Sequence, residues 1–253
     1  MKREINLEQF FTTDKNARFC LEKIDLSKFD LIVEPSAGEG TFSNLIENCL
    51  AFDIEPRNDK IIKQDYLELN TDDFTNKKVL VIGNPPFGRQ SSLAIKFINK
   101  SAEFANTIAF ILPKSFKKES VINKLDKHLF LTEVYELPEI KFYFNEHFFE
   151  IPCSFFVFEK RAEERVKETV PTIDDFSFVN KESADCSIRR VGFYAGKIEG
   201  LDVSETSHYF VKWNKPYSEE NYRKLKFDFD NTVGARSLSK KEILRKYFKE
   251  FYN

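Results

Sequence analysis

The chain has 253 residues, 42% hydrophobic and 32% charged, with a formal net charge of -2 at pH 7. That length accommodates one large α/β domain with an appendage, or two small domains, and buries an ample core. The near-neutral balance gives no bulk attraction for polyanions, and no run approaches the ~20 apolar residues of a membrane helix.

Short β-rich runs alternate with amphipathic segments over the first 160 residues, which predicts a doubly wound, Rossmann-like α/β sheet. Strands are expected at 29–34, 50–54, 60–64, 78–83, 107–112, 129–137 and 153–159. Helices are expected between them at about 14–25, 41–48, 91–104 and 116–127, with Asp14 and Ser92 as starting signals. Right-handed crossovers make most of such a sheet parallel. The segment PEIKFYFNEHFFEIP between the last two strands is aromatic and turn-like, so those two should pair antiparallel at one edge.

The charged stretch 161–172, which ends its apolar-poor run at Pro171, reads as a linker between a catalytic domain (1–160) and a small α+β domain (173–253). In the second part strands are expected at 187–194 and 208–213, a helix from Ser218 and another at 239–251 behind the capping box Ser239 to Glu242. Charge is uneven: residues 181–253 hold 15 Lys and Arg against 11 Asp and Glu, and residues 1–180 hold 24 against 30. The cysteines (Cys20, Cys49, Cys153, Cys186) lack paired metal or dithiol spacing, and the N-terminus MKREINLEQF is charged. A soluble protein of a reducing cytoplasm or nucleus, without a metal, is the expectation. Most of the 28 Phe should be core.

Chemistry concentrates at the predicted strand ends. The first strand runs from Glu34 into Pro35-Ser-Ala-Gly38-Glu-Gly40-Thr41, a glycine-bearing turn that lets backbone approach a nucleotide-like cofactor. Ser43 stands where a dinucleotide fingerprint needs its third Gly, and Glu34 and Glu39 would repel a pyrophosphate. A cationic ligand suits the acids better, and S-adenosyl-L-methionine carries a sulfonium, an ammonium and no phosphate. Asp53, at the end of the next strand, can accept from both ribose hydroxyls, with Glu55 as the alternative. Asp65 can accept from the cofactor's adenine amine, with Tyr66 or Leu67 against the ring.

The tetrapeptide Asn84-Pro85-Pro86-Phe87 follows the fourth strand, at the same expected edge. An exocyclic amine conjugated to a ring is a poor nucleophile, and a catalyst must localise its lone pair. The Asn84 side-chain oxygen and the Pro85 carbonyl can each accept one N–H and so favour the pyramidal nitrogen of the transition state. Pro85 and Pro86 stiffen the loop, and Phe87 would stack on the base.

With these residues in place, about residues 8–160 resemble the class I S-adenosylmethionine-dependent amino-methyltransferases, especially the adenine-specific DNA enzymes. The resemblance implies that QFFTTDKNARFCL puts Phe11 and Thr12 near the methionine end of the cofactor, and that Glu34, Ala37, Gly38 and Gly40 hold the methionine moiety. It implies Asp53 for the ribose, Asp65 for the adenine, Asn84 to Phe87 for catalysis, ILPKSF as the post-strand segment, and Phe148 or Phe149 as a second ring on a flipped base. The turn here begins with Glu where the family commonly has Asp.

Methyl transfer to the exocyclic amine of adenine in DNA is the expected function. Arg189, Arg190, Lys212, Lys215 and the KKxxxRK face of the last helix are candidates for phosphate contacts. Adenine in RNA is the alternative substrate. A glutamine side chain in a protein would need the same amide logic, but the Glu34-Pro35 start and the tail argue against it. A non-catalytic binding subunit would be expected to have lost the cofactor acids or the tetrapeptide, and both are present.

Overall fold

The computed structural model describes residues 12–252 except 75, 140, 145, 146, 151, 168 and 230–234, and of the strands within 141–149 it describes the backbone alone. The chain divides into two compact units, Met1–Val166 and Lys167–Asn253.

The first unit is built on a seven-stranded sheet. Its strands are β1 (Leu31–Glu34), β2 (Cys49–Asp53), β3 (Ile62–Lys63), β4 (Val79–Gly83), β5 (Thr107–Pro113), β6 (Leu129–Glu136) and, after a two-stranded hairpin of β7 (Lys141–Phe144) and β8 (His147–Glu150), β9 (Cys153–Lys160). The order is β3-β2-β1-β4-β5-β9-β6, with β3 to β5 parallel and β9 antiparallel to both its neighbours. The expected α/β sheet with an antiparallel last pair is therefore present, and β9 lies inside β6 rather than outside it. Composition explains the exchange: β9 is buried from Cys153 to Phe158, whereas β6 is largely half-buried or exposed, as suits an edge. β4 is buried at all five positions, the continuous apolar run of an interior parallel strand.

The helices are shorter than periodicity suggests. α1 (Asp14–Leu21) is capped by Thr13, whose side chain accepts from the Asn16 amide, one residue before the expected signal at Asp14. α2 (Ser92–Ala102) buries Ala94, Phe97, Ile98, Ser101 and Ala102, the i, i+3, i+4 stripe that packs on the sheet. The helix expected at 41–48 is only a 3-10 turn, Ser43–Leu45, because Asn48 turns to φ 59 and β2 begins at Cys49. The helix expected at 116–127 is the single turn α3 (Glu119–Ile122).

Residues 161–166 pack on the first unit rather than running free. The Arg165 guanidinium donates to the carbonyls of Leu129 (2.8 Å), Ile122 (3.0 Å) and Leu125 (3.2 Å), and the Arg161 amide donates to the His128 carbonyl.

The second unit is a four-stranded antiparallel sheet of β10 (Phe176–Val179), β11 (Cys186–Arg189), β12 (Ile198–Glu199) and β13 (His208–Trp213) in the order β10-β13-β11-β12, with α4 (Ser218–Lys224) and α5 (Lys240–Phe251). Its core includes Phe176, Ile188, Val211, Tyr222, Ile243 and Tyr247. Periodicity missed β10 and β12, which are short, and carried β11 too far: the chain turns at Gly192 (φ 99). The capping box is present, Glu242 N to Ser239 Oγ at 3.2 Å and Ser239 N to Glu242 Oε2 at 2.7 Å. Among the proposed phosphate contacts, Arg189 is already engaged: its Nε and Nη2 fork onto Glu199 at 2.6 and 2.9 Å, so its charge is compensated.

All four cysteines are free; Cys20, Cys153 and Cys186 are buried, and burial pushes their thiols up. Among the described residues no helix is long and apolar enough to cross a membrane.

Candidate active site

Because β1, β2 and β4 are parallel, the loops that follow them emerge at one edge of the sheet. They enclose a cleft of about 440 Å³, lined by Thr12, Glu34, Ala37, Gly38, Asp53, Asp65, Asn84 and Pro86, among others.

The loop after β1 is held from below by Glu34. Its side chain is 2% exposed and accepts from the Ser43 amide at 2.8 Å. Burial pushes the Glu34 carboxyl up to about 7; the Ser43 hydrogen bonds oppose the rise, and the Asp53 charge adds to it. Gly40 sits at φ 86, where a Cβ would come within 3.0 Å of Ser43 Oγ and Asn44 Nδ2, so a glycine is needed there. Gly40 shapes the loop and does not line the cleft, whereas Ala37 and Gly38 do both.

Asp53 organises this loop before any ligand arrives. Its Oδ2 accepts the Gly38 amide at 2.7 Å and its Oδ1 the Glu55 amide at 2.8 Å. A carboxylate has about four acceptor sites, so about two remain for hydroxyls. Asp65 caps a 3-10 turn through the Leu67 amide at 2.9 Å and is exposed at the cleft. Of the two residues proposed beside it, Tyr66 is committed to the core: it is 2% exposed, hydrogen-bonds Ser101 Oγ at 2.8 Å and stacks on Phe97. Leu67 is half-buried and lines the cleft.

The tetrapeptide is split by its placement. Asn84 and Pro86 line the cleft, while Pro85 and Phe87 are buried and do not. Phe87 is 7% exposed and belongs to the core cluster, and its carbonyl accepts from Leu93 N (3.1 Å) and Ala94 N (3.2 Å) at the start of α2. The Phe87 ring, expected to stack on a base, thus lies in the core beside the start of α2, where its burial anchors the loop.

Sequence reasoning missed three features. Ser36 Oγ donates to the Asn84 carbonyl at 3.2 Å and joins the two loops. Arg89, exposed two residues after the tetrapeptide, lines the cleft, as does Arg57, which pairs with Glu39 at 3.6 Å. Ser36 and Arg89 adjoin the motifs and were legible only by position. Phe11 lies outside the described residues, as do the side chains of Phe148 and Phe149. In ILPKSF, Phe116 is fully buried, and the Lys114 ammonium meets Glu136 at 2.6 Å.

Residues 26–147 match the family model described as the EDM2 methyltransferase-like domain. A search of curated proteins finds no match. Among solved structures, a protein assigned as an RNA methyltransferase from Pyrococcus horikoshii is similar with a TM-score of 0.43 and 18% identity, over 63% of this chain and 90% of that one. A modification subunit assigned to a type I restriction enzyme from Vibrio vulnificus YJ016 is similar with a TM-score of 0.45 and 16% identity, over 62% of this chain. The match spans 45% of that subunit. Residues 26–147 are thus methyltransferase-like in sequence, and the first unit carries a seven-stranded α/β sheet with a reversed β9.

Proposed function

We propose that the chain transfers a methyl group from S-adenosyl-L-methionine to the exocyclic amine of adenine in nucleic acid, with DNA favoured and RNA as the other polymer. The observation that carries this reading is the sharing of one cleft by the acid-bearing glycine loop and Asn84, joined through Ser36.

The cleft's chemistry fits the cofactor. Glu34, Asp53, Glu55 and Asp65 suit a ligand with two cationic groups and two ribose hydroxyls, and they disfavour a pyrophosphate. When bound, the cofactor supplies an electrophilic methyl. Asp53 offers its remaining acceptor sites to the ribose, Asp65 to the adenine amine, and Thr12, Ala37 and Gly38 line the methionine end. Asn84 accepts an N–H of the target amine, and the carbonyl of Pro85, whose ring is buried between the cleft-lining Asn84 and Pro86, is assigned as the second acceptor. As the nitrogen gains the methyl, the methyl–sulfur bond would break and leave a neutral thioether, and the nitrogen loses a proton to water, since an amide side chain cannot hold it. Base flipping delivers an adenine from a duplex to such a cleft. With Phe87 in the core, Phe148 is left as the candidate ring for the flipped base.

Incubation with tritiated S-adenosyl-L-methionine and either DNA or RNA tests the reading. Label should appear on adenine in DNA; label on RNA alone moves the activity to that polymer, and label on neither rejects it.

A further inference from the structure

The second unit displays two aromatic rings where a domain of its size would normally hide them. Phe193 is 72% exposed and Tyr194 50% exposed, their rings 5.1 Å apart at the tip of the turn between β11 and β12. The tip is built rather than loose. The Gly192 amide donates to the Arg236 carbonyl and the Leu238 amide to the Arg190 carbonyl, both at 2.8 Å, and Val191 bridges to Ser237. Gly196, at φ 91, closes the turn against Phe227, where a Cβ would come within 2.6 Å of the ring.

Cations lie on these rings. The Arg236 guanidinium lies 4.9 Å over Phe193 and the Lys197 ammonium 4.4 Å over Tyr194. Arg190 and Lys240 lie 5.4 and 5.5 Å over the adjoining Tyr209 ring. Among the described residues none of these four cations forms an ion pair, in contrast to Arg189 next door, which Glu199 neutralises. Exposed rings with uncompensated cations on their faces combine the two elements that hold unpaired nucleic acid: platforms for bases and positive charge for the backbone. An undistorted duplex keeps its bases stacked on each other and so offers such rings fewer open base faces than an unpaired strand does.

We propose that the 190–197 turn with Arg236 and Lys240 grips an unpaired stretch of nucleic acid, with Phe193 and Tyr194 stacking on bases and Arg190, Lys197 and Arg236 facing phosphates. The inference rests on the nucleic-acid reading of the methyl-transfer activity and names how that polymer is held. It shifts recognition away from Arg189 and toward the rings.

The test is equilibrium binding of the full chain, without cofactor, to fluorescein-labelled oligonucleotides of about 12 nucleotides as single-stranded DNA, single-stranded RNA and duplex DNA, with heparin as a charge-only competitor. At least one unpaired strand should bind more tightly than the duplex. Phe193→Ala with Tyr194→Ala should weaken that binding about tenfold or more, with heparin affinity and melting temperature unchanged. Arg190→Gln with Arg236→Gln should lower the salt slope by about 1 to 2 while leaving the preference for unpaired strands. Retained affinity in the aromatic variant, an equal loss of heparin binding, or a preference for duplex would overturn the proposal. Because binding is read without turnover, strand binding that depends on the rings with no methylation of any substrate would sink the activity and leave the grip. Methylation indifferent to both rings would do the reverse.

Discussion

The Ser36 hydroxyl donates to the Asn84 carbonyl at 3.2 Å, so the loop assigned to the methyl donor and the loop assigned to the amine are fastened to each other. A single neutral hydrogen bond of this kind contributes about 1 kcal/mol. Ser36→Ala is expected to lower kcat about three- to tenfold while changing cofactor affinity less than threefold. Single-turnover kinetics beside calorimetric binding separates the two, and a loss confined to cofactor affinity would reject the coupling.

Asn84 and Asp53 should fail differently. Asn84→Ala should abolish transfer with cofactor affinity nearly unchanged, whereas Asp53→Ala should weaken cofactor binding first. The second variant also releases the Gly38 and Glu55 amides, so its loss should exceed that of two ribose hydrogen bonds. Equal loss of binding in both variants contradicts these roles.

Phe87→Ala separates anchoring from stacking. At 7% exposure within the core cluster, truncating the ring should cost about 3–5 kcal/mol of stability. A base-stacking ring would instead raise KM and leave the melting temperature alone. Thermal unfolding and KM measured on the same preparation decide between them.

Glu34 gives the site a pH dependence. Burial holds its carboxyl near 7 against the ordinary 4.5, so the folded protein favours the protonated form. That contribution is fully present below pH 4.5 and is lost as pH rises through about 7, at a cost of up to about 3 kcal/mol. A cationic cofactor needs the opposite form, so its affinity should climb through pH 7 and then level. Glu34→Gln should flatten that climb and be relatively more stable at pH 8; calorimetry across the range checks both, and an affinity that falls with pH would reject the assignment.

What the chain disclosed in advance depended on range. The strands of the sheet were readable because LIVE, VLVIG and TIAFILP are apolar runs bounded by turn residues, and the four site loops followed from their ends. The burial of Phe87 was not readable, because the tetrapeptide's chemistry says nothing of the face that α2 turns toward it. The helix at 41–48 shrinks to one 3-10 turn because Gly40 and Asn48 both sit at positive φ and Ile46 is already extended at φ -117, so the chain leaves the helical region after Leu45. The Ser36 bridge joins residues 48 positions apart, and no local pattern encodes such a pairing.

The place of β9 has a consequence for how the protein is made. Its strand is the last of the sheet to be synthesised, yet it sits between β5 and β6 and hydrogen-bonds both. Until residues 153–160 have left the ribosome, the apolar edge of β5 has no partner, and a sheet already five strands wide presents it to any other chain. The first unit cannot complete itself vectorially as its strands emerge. A nascent chain ending before Cys153 should stay protease-sensitive and draw chaperones, whereas one with β9 and the Arg165 contacts emerged should be protected. Closure of the sheet is thus a timed event, set by the position of one strand in the reading order of the message.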